Sequence, residues 1–303
     1  MVSDMPNILF IVEHVSNSWG IAANGCLKAL GCTGSVIGQV EFLNKTPDLK
    51  AYTTIFNYMW RDEKIMKLLQ AAKGRVVNCI ASGPDMDSAS LETFKANTQG
   101  FRLVGANTAK GVTILNALDA DTMVFNLSHG VDTDMFKPQP IAHQGFKVGW
   151  IGRTKYPLKR FEFAQKVIAG VQGAEMVVAG NKTDPAGQPW YEHSDMPKFY
   201  NGLDVLLITS RSESHPLIAL EAMASGVVVV STNVGDLESV ILNGVNGFLL
   251  PIEADENRFR LILNYLKDNP ERRKGIGGLA RAAVVQNWTW GRVIEPYKNI
   301  IGA

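Results

Sequence analysis

Short apolar runs alternate with helix-patterned stretches along nearly the whole of this chain, and runs that brief suit strands better than packed helices. The opening NILFIVEHVSNSWGIAANGCLKAL reads as a strand over 8–13, a loop in which Ser16, Asn17 and Ser18 offer helix caps, and a helix over roughly 20–30. Then come AYTTIFNYMW and the helical RDEKIMKLLQAAKG, with Ile65, Leu68, Leu69 and Ala72 on one stripe and Gly74 as its stop. The strand RVVNCIA, a helix over 88–97, a short strand over 101–105, a helix over 108–118 and the strand TMVFNLS complete the series. This alternation predicts a mostly parallel sheet covered on both faces.

The pattern then stops and starts again. DTDMFKPQPIAHQGF is polar, carries Pro138 and Pro140 and has no periodicity, which marks it as a boundary. Beyond it FKVGWIG, AEMVVAG, LDVLLITS, VVVVST and GFLLP read as strands, with helices over 157–170, 195–201, PLIALEAMASG and DLESVILNG between them. The tail 255–302 is mainly helical, and Pro270 splits it. At 303 residues the chain is about twice the ~150-residue prior for one domain. Two α/β, doubly wound, Rossmann-like domains are therefore expected, residues 1–137 and 138–303. Open sheets of this kind bind ligands beyond the carboxyl ends of their strands.

Composition narrows the partners. Thirty Lys and Arg against 29 Asp and Glu leave a formal charge of +1, so no global field recruits a nucleic-acid polymer and any phosphate site must be local. The three cysteines, Cys26, Cys32 and Cys79, form no C-x-x-C pair, which points to a reducing, cytoplasmic setting. The N-terminus lacks a signal-sequence pattern, and no stretch approaches the ~20 apolar residues that span a bilayer. Peripheral membrane contact is left open.

The densest signal is LDVLLITSRSESHPLIALEAMASGVVVVSTNVGDLESVILNGVNGFLLP. A buried strand leads through SRSESH into a helix whose first turn can hold Pro216, and the unpaired N–H groups there suit a phosphate or pyrophosphate. Glu213 in the loop and Glu221 further along the helix can reach one crevice at different depths, to accept hydrogen bonds from sugar hydroxyls and from a ribose diol. A solvated loop acid and a surface helix acid are the alternatives.

This segment resembles the C-terminal domain of the retaining, nucleotide-sugar-dependent glycosyltransferases of GT-B fold, the large family 4-like group also called glycosyl transferases group 1. The paired-glutamate motif of that family stands here as ESHPLIALE, followed by AMASGVVVVSTNVG. LSHGVDTDMFKP resembles its interdomain segment, with His129 in place of asparagine. VGWIGRTKYPLKRF resembles the first C-terminal strand and the loop whose arginine and lysine hold the donor diphosphate. Arg153 matches the arginine. Lys159 matches the lysine with one residue inserted, so Lys155 and Arg160 compete with it.

The resemblance implies two Rossmann-like domains facing a central cleft, with the last helix crossing back to the first domain. It implies a hexosyltransferase using a UDP- or GDP-sugar and a sugar, lipid or other hydroxyl acceptor, with no obligatory cofactor or metal. Retention would come from front-face attack aided by the leaving diphosphate, with Glu213 as a stabilising acid and not a nucleophile. Glu213, Arg153 and Lys159 carry the chemistry, and Arg153, Lys159, Glu213, His215, Leu217, Ile218 and Glu221 bind the donor. His14, Trp19, Gly20 and Asn107 are acceptor-side candidates. Two other readings stay open: a noncatalytic or degenerate sugar-nucleotide-binding protein, and an NDP-sugar epimerase of similar layout.

Other chemistries find less support. The five histidines, His14, His129, His143, His193 and His215, form no close ligand cluster, and the D-x-D pairs Asp85/Asp87 and Asp132/Asp134 fall in a turn and in the interdomain segment. There is no G-x-G-x-x-G fingerprint, P-loop or nucleophile elbow. The N-terminal half departs from the resembled pattern, with Gly20 alone at the glycine-loop position and no histidine in RVVNCIASG. His14 reads equally as a strand-end polar residue, and Asn107 as an N-cap. Trp290, Val293 and Ile294 in NWTWGRVIEPYKNII form a stripe that reads as packing.

Overall fold

The computed structural model describes residues 6–80, 88–118, 121–139, 141–180, 189 and 191–302. The chain begins β1 (Asn7–Val12), α1 (Ser18–Leu30), β2 (Thr33–Gly38), α2 (Gln39–Asn44), β3 (Thr54–Asn57) and α3 (Glu63–Leu69). It continues with β4 (Val76–Ile80), α4 (Ser88–Asn97), β5 (Leu103–Ala106), α5 (Ala109–Leu118) and β6 (Met123–Asn126). All six strands pair in parallel, in the order β2-β1-β3-β4-β5-β6. Successive residues of a strand face opposite sides. Accordingly Leu9 and Ile11 enter one core with Ile55, Ile65 and Leu115, whereas Ile8, Phe10 and Val12 enter another with Ala23, Phe56 and Val77.

Next come β7 (Phe146–Ile151), α6 (Phe161–Ala169), β8 (Ala174–Ala179), α7 (Met196–Asn201), β9 (Val205–Ile208) and α8 (Leu217–Ala224). β10 (Val228–Thr232), α9 (Leu237–Val240), β11 (Phe248–Leu250), α10 (Glu256–Asp268) and α11 (Pro270–Asn287) follow. These five strands are again parallel, in the order β11-β10-β9-β7-β8. Val148, Trp150, Val205, Leu207 and Val230 pack with Val167 and Ile168 of α6 and with Phe259 and Leu263 of α10. The alternate residues Leu206, Ile208 and Val229 are also buried, so this sheet too is covered on both faces.

The chain ends with α12 (Trp290–Val293) and α13 (Glu295–Ile301). Two compact units result, one within Met1–Gly130 plus Trp290–Ala303 and the other Val131–Thr289. In the first unit Ile294 and Tyr297 enter the core, and the Tyr297 hydroxyl donates to the Leu127 carbonyl at 3.0 Å. Trp290 packs on that core and meets Tyr297 edge-on, so the aromatic tail is a packing element.

Two local expectations need correction, and one stretch carried none. β2 and α2 escape the pattern because TGSVIG is a half-exposed edge strand with two glycines and little apolar content. The expected helix over 157–170 begins only at Phe161. Pro157–Lys159 form a 3₁₀ turn, and Arg160 at φ 53° breaks the right-handed run before α6. The helix expected over DLESVILNG ends at Val240, and Asn246 beyond it closes a loop by accepting from Leu242 N–H at 2.7 Å.

Candidate active site

In each sheet the chain moves from the first strand to a neighbour on one side and then to a neighbour on the other, so a switch point lies between β1 and β3 and another between β7 and β9. Open sheets bind ligands outside the carboxyl ends at such points. The loops after β7 and β9 carry the paired-glutamate motif and its basic companion.

These two loops are fastened together. Thr209 accepts from Trp150 Nε1 at 3.2 Å and its hydroxyl lies 2.8 Å from the Lys159 carbonyl, while Arg211 N–H donates to the Leu158 carbonyl at 2.8 Å. Thus held, Lys159 Nζ reaches Glu213 Oε1 at 2.5 Å, and Ser210 Oγ donates to the same oxygen at 2.6 Å. Both contacts fall on Oε1. Glu213 is therefore half-buried and paired, not a solvated loop acid.

The lysine register also becomes visible. Arg160 is committed to the Ile252 carbonyl at 2.9 Å and lies over the Phe163 ring, while Lys155 is exposed. Lys159 is the residue brought to Glu213. Arg153 is exposed, with its guanidinium over the Tyr156 ring at 4.7 Å and no ion pair among the described residues.

The turn after β10 supports the motif from behind. Gly235 has φ 64°, and a Cβ there would sit 2.0 Å from the Ser214 carbonyl, so only glycine permits this approach. Asp236 N–H donates to that carbonyl at 3.1 Å, and the Asp236 carboxylate holds His215 Nδ1 at 2.8 and 2.9 Å. His215 is buried with its ring 5.1 Å from that of Trp288, so it braces the loop. Pro216 stands at the cap of α8 and not inside its first turn. The next two residues, Leu217 and Ile218, present the N–H groups at the helix start.

Glu221 lies in the second turn of α8 and is 5% exposed, which rules out a surface helix acid. One carboxylate oxygen is 2.8 Å from His193 Nε2 and the other accepts from the Tyr200 hydroxyl at 2.7 Å. Burial, reinforced by the charge of Glu221, pushes the Tyr200 phenol up, so it stays a donor. His193, Tyr200, Ser210 and Asp236 were not singled out as site residues from the sequence; no local pattern ties His193 and Tyr200 to the motif, and Ser210 and Asp236 lie within it as ordinary loop residues. Residues 181–188 and 190, between β8 and α7, lie outside the described residues, as does the Asp85/Asp87 pair. Asp132 accepts from the N–H groups of Asp134 and Met135, a turn-capping role. Among the described residues no group of three or more His, Cys, Asp or Glu side chains is placed to hold a metal ion, and no helix is long and apolar enough to cross a membrane.

In the first unit, His14 and Trp19 lie beside the β1/β3 switch point. His14 Nδ1 is 2.8 Å from Ser16 Oγ and accepts from Ser16 N–H at 3.3 Å, which places the proton of a neutral ring on Nε2. Trp19 is half-buried, 5.0 Å from the Tyr58 ring and edge-on to His129. Asn17 is the cap of α1, accepting from Trp19 and Gly20 N–H groups. Gly20 serves close packing, because a Cβ there would meet the Val15 carbonyl at 2.0 Å. Asn107 is buried and is not the cap of α5; Thr108 is, accepting from Gly111 N–H at 3.0 Å.

Residues 179–281 match the family described as glycosyl transferases group 1. The chain is 24% identical over 285 residues to a D-inositol 3-phosphate glycosyltransferase of Mycobacterium ulcerans, covering 81% of this chain and 61% of that protein. It is 25% identical over 218 residues to the Mycobacterium marinum protein of the same name, covering 60% and 47%. The chain thus spans about half to three-fifths of the length of these relatives. Among solved structures, sucrose-phosphate synthase from Thermosynechococcus elongatus superposes with TM-score 0.78 at 15% identity, covering 97% of this chain and 98% of that one. Anabaena HepE in complex with UDP-glucose gives TM-score 0.73 at 17% identity, covering 98% of each. The architecture is the two-domain GT-B fold.

Proposed function

We propose that this GT-B chain, whose second unit carries the glycosyl transferases group 1 region, transfers a hexose from a UDP- or GDP-sugar to a hydroxyl acceptor with retention of anomeric configuration. The observation that carries the reading is the Lys159–Glu213 pair at the β7/β9 switch point, beside the start of α8 and one loop from Arg153. The relatives' printed activities and the UDP-glucose held by HepE support a nucleotide-sugar donor.

In the reaction the bond between the anomeric carbon and the diphosphate oxygen breaks, and its electron pair stays on the diphosphate. The acceptor oxygen bonds to the anomeric carbon on the same face, and its proton passes to the leaving diphosphate. Charge therefore grows on the diphosphate in the transition state, where fixed cations and amides are worth most. Lys159 gives one N–H to Glu213 and keeps two for phosphate oxygens; Arg153 offers a planar fork; Leu217 and Ile218 add backbone N–H groups. Glu213 fixes Lys159 through Oε1 and turns Oε2 to the sugar hydroxyls, stabilising the electron-poor ring without forming a bond to it. Glu221 meets the ribose. The first unit, with His14, Trp19, Gly20 and Asn107, serves the acceptor, and the second unit the donor. Neither a cofactor nor a metal is required, because basic side chains and amides neutralise the diphosphate, and the free cysteines suit a cytoplasmic setting.

The test is incubation with a panel of UDP- and GDP-sugars and mass detection of free nucleotide and glycosylated product. Turnover of one donor with a sugar, lipid or protein acceptor is expected. Donor binding without turnover on any acceptor would favour a noncatalytic binding protein, and no binding at all would end the donor reading.

A further inference from the structure

Glu221 holds its carboxylate in a place where an ionised group persists only if it is paired, since it is 5% exposed within an otherwise apolar helix. Its two partners differ in kind. Tyr200 is fully buried and donates to one oxygen from within, whereas His193, just ahead of α7, has a side chain 32% exposed and meets the other oxygen from the solvent side. The Phe136 ring backs both, 5.3 Å from the imidazole and 5.8 Å from the phenol, so the orientation of each donor is fixed by packing.

We propose that His193 is a positioning residue that sets Glu221 to recognise the hydroxyls of the nucleotide ribose, so that selection of ribose over deoxyribose depends on the imidazole. The inference rests on the donor reading given above. A carboxylate has about four acceptor sites. One donor on each oxygen fixes the plane of the group and leaves an acceptor site on the oxygen beside His193 for a ribose hydroxyl. Nε2 must carry a proton to face a carboxylate oxygen, so His193 acts as a donor in this contact. Without it, one oxygen loses its fixed partner and the carboxylate can rotate or take up water. The ligand side of the group is the His193 side, because Tyr200 closes the other.

The experiment is calorimetry of the whole chain with UDP, GDP and their 2′-deoxy counterparts, for the wild type and for His193→Ala and His193→Gln. Thermal unfolding is followed in parallel. The wild type is expected to bind one ribonucleotide about tenfold or more tighter than its deoxy form, the worth of one well-placed hydrogen bond to a charged group. His193→Ala should collapse that ratio towards one. His193→Gln, whose amide nitrogen can occupy the place of Nε2, should keep most of it. A merely structural role would weaken both nucleotides equally, with a lower melting point and an unchanged ratio, and would overturn the inference while leaving the donor reading intact. A wild type that binds neither nucleotide, or binds ribo and deoxy forms alike, would overturn the ribose role of Glu221 and the inference with it.

Discussion

Lys159 Nζ lies 2.5 Å from Glu213 Oε1, a contact across 54 positions that ties the loop after β7 to the loop after β9. In the proposed reaction it joins the cation assigned to the leaving group to the acid assigned to the sugar, so their substitutions should not be additive.

Removing either fixed cation should therefore be costly. Lys159→Ala and Arg153→Ala are each expected to weaken donor binding and lower turnover by roughly 10²-fold, with far-ultraviolet circular dichroism unchanged. Lys155→Ala should stay near wild type. Damage from Lys155→Ala with a harmless Lys159→Ala would move the phosphate-binding role to the other lysine.

The two glutamates should separate in kinetics. Glu213→Gln keeps the shape but loses the charge that holds Lys159, and should mainly lower kcat with a modest change in affinity for free nucleotide. Glu221→Gln should weaken binding of the free nucleotide itself. Steady-state kinetics with full donor and calorimetry with UDP or GDP measure the two effects; the opposite pattern would exchange the roles. Trapping a glycosyl group on Glu213 would replace front-face attack by a covalent route.

Asp236 supports the motif loop through buried His215. Asp236→Ala leaves the imidazole without its carboxylate and should cost about 1–3 kcal/mol of stability, read from urea unfolding. Because His215 stands in the motif loop just ahead of α8, freeing its ring should also raise the KM for donor. Unchanged stability would show that the pair does not brace the loop.

A pH-dependent term comes from Asp62, the cap of α3. Burial alone would push its carboxyl up, but hydrogen bonds from the Gln39 amide and from the Ile65 and Lys64 N–H groups outweigh this and hold it below the usual carboxylate range. A lowered folded pKa adds stability above the unfolded value and loses it as pH falls through the folded one. Asp62→Ala should cost about 0.5–2 kcal/mol at neutral pH. The gap to wild type should close as the pH drops below about 4, where the unfolded carboxyl begins to take up its proton. A constant gap down to pH 2 would assign the loss to something other than this charge.

The buried strands were legible because runs such as VVVVST and NILFIV have few other places to go than the middle of a parallel sheet. β2 was not, since TGSVIG is a half-exposed edge strand in which Val36 and Ile37 alone are apolar, too short a run to stand out. Within the site, Glu213 and Glu221 were visible through their spacing and the residues around them. Their partners were not, because His193 and Tyr200 stand 28 and 21 positions from Glu221 and Asp236 stands 21 from His215; only the fold brings them together. Asn107 shows the converse limit: a polar residue before a helix reads as a cap, and the next residue, Thr108, takes the role.

The central claim is that a hexose leaves its diphosphate beside the Lys159–Glu213 pair and keeps its anomeric configuration. It is tested most directly by proton NMR of the glycosylated product formed from the donor that turns over, whose anomeric proton reports the configuration of the new linkage. An α-configured donor should give an α-linked product, and Lys159→Ala should slow its appearance without changing its configuration. A β-linked product would contradict the account, as would equal rates for wild type and Lys159→Ala.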